Sequence, residues 1–185
     1  MDTTNPDIRN QVDDSRGVLK RLQLLIPGFR GYRQLEDLRV ADALLRKQVA
    51  GILQLSERSM QDLRSSLVSA GGYQFLVQSA SVLSRLQQFE GELLHSEQGY
   101  SGISPSIRID AQKLNALYEY DLEFIQSAND IQKLSDFSSL ISPFNEGMFS
   151  KQIADLSGSI QKMKVAWEMR IQKIEEIKIT PGGAN

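Results

Sequence analysis

The sequence has no cysteine and one histidine, His95. The first absence excludes a disulfide framework, a thiolate metal site and a cysteine nucleophile. The second excludes a zinc site built on two histidines. Charge of one sign is also lacking: 21 basic residues face 23 acidic ones, for a net charge of −2. No global field would draw in nucleic acid, so a nucleic-acid partner is not expected. No apolar run approaches the ~18 residues of a membrane span. The first residues carry Asp2, Asp7, Asp13 and Asp14, with no apolar stretch behind a basic start, unlike a secretory signal. With cysteine absent, we expect a cytoplasmic protein.

Proline is scarce, and its five positions punctuate the chain: Pro6, Pro27, Pro105, Pro143 and Pro181. Proline lacks an N–H and clashes with the preceding turn, so the stretches between these positions are free to be helical. Gly71-Gly72 and the glycines around Tyr100-Ser101 add further breaks.

Five segments emerge from helical periodicity. The first, about residues 7–25, carries Ile8, Val12, Leu19, Leu22 and Ile26 on one stripe and ends at Pro27-Gly28. The second, about 34–68, places Leu35, Leu38, Leu45, Val49, Ile52, Leu53, Met60, Leu63 and Leu67 on one face. A helix of about 35 residues would be ~50 Å long, and Gly71-Gly72 suits its C-terminus. The third, about 73–98, is defined by Phe75, Val82, Leu86, Phe89 and Leu93. The fourth follows Pro105, with Asp110 as a capping candidate, and runs to about residue 135. Residues 138–143 read as a loop. The fifth, about 145–178, repeats apolar residues in near-heptad fashion. Strand signals are nearly absent, Ile107-Arg108-Ile109 being too short for a sheet. The expected fold is therefore all-α. It is a bundle of four to five mostly antiparallel helices, two of them about 35 residues long. Residues 1–180 would form one domain, with residues 181–185 a disordered tail.

Glu92-x-x-His95 has the spacing of half a carboxylate-bridged metal site in a helical bundle. On a helical wheel centred on Phe75, Val82, Leu86, Phe89 and Leu93, both residues point away from the apolar face. No second Glu-x-x-His occurs. We expect no metal and no cofactor, and no nucleophile constellation is present to suggest an enzyme.

Two carboxylates are placed differently. Asp42 falls inside the stripe of the second segment, and Asp121 lies among Leu114, Leu117, Tyr118, Ile125 and Ala128 in the fourth. A buried carboxylate must be paired or hydrogen-bonded, or it costs several kcal/mol. The partners nearest in sequence are Arg39 and Arg46, one turn either side of Asp42, and Arg30 and Arg33 in the preceding loop. Tyr32, Tyr100, Tyr118 and Tyr120 offer hydroxyls, and Glu90 and Glu97 are further carboxylates for the arginines. If the glycine loops at 28–33 and 99–102 share one end of the bundle, these groups converge. Two readings follow: a buried polar layer that fixes helix register, or a site where Arg30, Tyr32, Arg33, Arg39, Asp42, Arg46, Tyr100, Tyr118 and Asp121 grip an anionic or phosphorylated ligand.

The stripe of the last segment is Phe149, Ile153, Leu156, Ile160, Met163, Trp167, Ile171 and Ile174. Such a seam can zip to another chain as a coiled coil or to helices of its own. The leading functional expectation is a non-catalytic helical interaction or assembly protein, an adaptor or scaffold, that self-associates or binds a protein partner through this helix. The alternatives are a binder of an anionic small ligand, an enzyme included, and a membrane-surface protein. The last rests on residues 150–179, where six bases meet four acids.

Overall fold

In the computed structural model the described residues are 8–31, 35–96 and 111–179, with side chains described over 17–31, 39–96 and 114–172. Every regular element among them is helical: α1 (Ile8–Leu25), α2 (Leu35–Ser69), α3 (Leu76–His95), α4 (Ala111–Leu134), α5 (Ser138–Ile141) and α6 (Glu146–Ile179), with a 3₁₀ turn at Tyr73–Phe75 before α3. The fold is all-α, as the 3.6-residue periodicity requires. α2 spans 35 residues and α6 spans 34. The expected loop at 138–143 instead contains α5. Asp136 Oδ1 accepts a hydrogen bond from the Ser138 N–H at its start, which pulls the Asp136 pKa below its ordinary value. Asp110 and the tail at 181–185 lie outside the described residues.

The chain divides into two compact units. The first comprises Met1–Leu45, Gln98–Glu123 and Met169–Asn185, and the second Arg46–Glu97 and Phe124–Glu168. In the first unit, α1 ends at Pro27-Gly28, and Gly28 adopts the positive φ that glycine tolerates. Leu22, Ile26 and Phe29 are buried, as are Ala41, Leu45, Leu117, Tyr118 and Leu122. The Tyr118 ring meets Phe29 edge-on, with centroids 6.3 Å apart. Gly31, at φ 90°, leaves no room for a side chain: a Cβ there would sit 2.8 Å from the Tyr118 hydroxyl and 3.2 Å from Leu19.

In the second unit, α2 and α3 run antiparallel across the Gly71-Gly72 turn. Gln54 donates to Glu90, and Arg46 reaches the far end of α3. The 3₁₀ turn and α3 run parallel to α6, in a constant register of 72 residues: Gln74 of the turn bonds Glu146, and on α3 Arg85 bonds Ser157 and Glu92 accepts from Lys164. Two aromatic layers fill the interior. Phe75, Phe137 and Phe144 surround Phe149, with ring centroids 4.8, 5.0 and 5.6 Å from it. Further along, Phe124 stacks on Trp167 at 5.3 Å and meets Phe89 edge-on. Each aromatic of this kind removes ~150–250 Å² from water, so these layers dominate the hydrophobic stabilisation.

Candidate functional site

The first unit contains a closed ionic layer. Asp42 on α2 and Asp121 on α4 are the two carboxylates that interrupt apolar stripes, and both are buried. Arg170 on α6 lies between them. Its Nε donates to Asp121 Oδ1 at 2.6 Å, and its Nη1 donates to Asp42 Oδ1 at 2.6 Å. The side chains of Arg170, Asp42 and Asp121 are 1%, 5% and 0% exposed. One planar guanidinium therefore ties three helices, a task its rigid fork performs and a lysine ammonium does not. The carboxylate oxygens are held by a buried cation and withdrawn from solvent. That arrangement suits a structural constraint better than proton transfer to a solute.

Arg170 is absent from the set expected on sequence grounds, although the signal was there. Phe149, Ile153, Leu156, Ile160, Met163 and Trp167 are spaced 4-3-4-3-4 in the sequence, so a strict heptad continues to residue 170. The structure buries Arg170 and leaves Ile171 half-buried. Ile171 thus falls one residue off the seam, and the seam position carries the cation.

Arg30 is exposed and Arg39 half-buried. Tyr118 is buried against Phe29 and Gly31. Tyr32, Arg33 and Tyr100 lie outside the described residues. Arg46 belongs to the second unit, where its Nη1 donates to the Ser96 carbonyl at 2.8 Å and the Leu93 carbonyl at 3.4 Å. It caps the C-terminus of α3, satisfying carbonyls that the helix cannot and placing a cation at the negative end of the dipole.

The heptad stripe is buried within the second unit from Phe149 through Trp167. The Ile174 side chain lies outside the described residues. Glu92 is half-buried and accepts a bond from Lys164 Nζ at 2.8 Å, while His95 is exposed. No group of three or more candidate metal ligands occurs among the described residues. Glu57, on α2, has a buried Oε1 without a hydrogen-bond partner. Burial, followed by the negative charge of Glu90, raises its pKa above the ordinary carboxylate value.

Apolar surface collects at the α2–α3 turn of the second unit. Tyr73 is 62% exposed and Val77, one turn later, 79%. Val68 precedes the turn, and Met148 stands at the start of α6; both are exposed. The two stretches adjoin, because Gln74 bonds Glu146 at 2.8 Å and the Phe144 ring lies 3.2 Å from where a Gly72 Cβ would be. No helix among the described residues is long and apolar enough to cross a membrane. The chain matches no protein-family model, no curated protein and no solved structure.

Proposed function

We propose that this chain is a non-catalytic helical interaction or assembly protein. The observation that carries the reading is the closed Asp42–Arg170–Asp121 layer. The two carboxylates of the expected ligand cluster, Asp42 and Asp121, are held by the chain's own Arg170, and each of the three side chains is at most 5% exposed. What the described residues offer to other molecules is then their outer helical surface. The heptad stripe is spent on the chain's own core, so association is assigned to the apolar patch of Val68, Tyr73, Val77 and Met148 rather than to that stripe. Clustered exposed apolar side chains of this kind favour burial against a protein surface.

Light scattering over a range of concentrations tests the self-associating form. A mass rising above the 20.8 kDa of one chain, and returning to it in a Tyr73→Glu/Val77→Glu variant, supports the proposal. A strict monomer at all concentrations removes self-association. The ligand-binding reading is tested separately with Asp42→Asn and Asp121→Asn. If inorganic phosphate stabilises the native chain saturably and these variants abolish the effect, the cluster is a ligand site and the proposal fails.

A further inference from the structure

We draw no further inference here: the strongest candidate, the exposed apolar patch at the α2–α3 turn of the second unit, belongs to the surface already described, and nothing in the structure shows what covers it.

Discussion

Replacing Arg170 by methionine tests the ionic layer at its centre. Methionine keeps much of the aliphatic stem, so the loss falls on the guanidinium. Two charge-assisted hydrogen bonds of 2.6 Å disappear. Two carboxylates that are 5% and 0% exposed then lose the cation between them. Removing one partner of a buried ion pair costs ~3–5 kcal/mol, because the other charge stays buried and uncompensated. The two pairs share one cation, so their costs are not summed. Against a total stability of ~5–15 kcal/mol, this is about a fifth or more of what holds a domain together. At a urea slope of up to about 3 kcal/mol per M, the midpoint should fall by roughly 1 M or more. Urea unfolding followed by far-UV circular dichroism reads it directly. Arg170→Lys should also lose stability, since an ammonium cannot fork to both carboxylates. A loss for Arg170→Met below ~1 kcal/mol, the scale of an exposed pair, would refute the reasoning.

Glycine substitutions should divide by sign. Gly31→Ala should destabilise by at least ~1–2 kcal/mol, for its positive φ and for the 2.8 Å approach to Tyr118. Gly51→Ala should stabilise by up to ~1 kcal/mol, since Gly51 sits exposed within α2 with nothing within 4 Å of a new Cβ. Thermal melting of both variants checks the pair. Glu57→Gln should raise the urea midpoint at neutral pH and leave it unchanged in acid. The fold raises the Glu57 pKa, so its cost is absent below the ordinary carboxylate range and appears as pH rises through the raised value. Equal midpoint gains at both pH values would count against this. Phe124→Ala should cost ~3–5 kcal/mol by opening the layer it shares with Trp167 and Phe89, read from loss of the Trp167 fluorescence transition at lower urea.

Much of the fold was legible because its information is local. The stripes of α2 and α6 repeat at the helical period over some thirty residues, and glycine or proline stands at their ends. Helix boundaries accordingly fall within a few residues of expectation. α5 escaped because a four-residue helix is too short to show a period, and its start is set by one Asp136 hydrogen bond. Asp42 and Asp121 were legible as buried, since each interrupts an apolar stripe. Their partner is remote in sequence: Arg170 lies 128 and 49 residues from them, whereas local reasoning favours arginines one turn distant. Arg46, one such arginine, is engaged with the end of α3 instead. The apolar stripe of α6 was legible as a seam, but periodicity does not say whether a seam is covered by its own chain. Nor does it fix helix direction, and the parallel α3–α6 register becomes visible only from three contacts of equal sequence separation.

We propose that the buried ionic layer is a structural element of this helical fold. Its most direct test is the stability of a variant in which all three members become apolar, Asp42→Leu/Asp121→Leu/Arg170→Met. A buried ion cluster can be exchanged for packed hydrophobic side chains at little cost or with a gain of ~1–4 kcal/mol. The account predicts that the triple variant regains the urea midpoint lost by Arg170→Met alone, with unchanged helix content. A triple variant no more stable than the single one would contradict it.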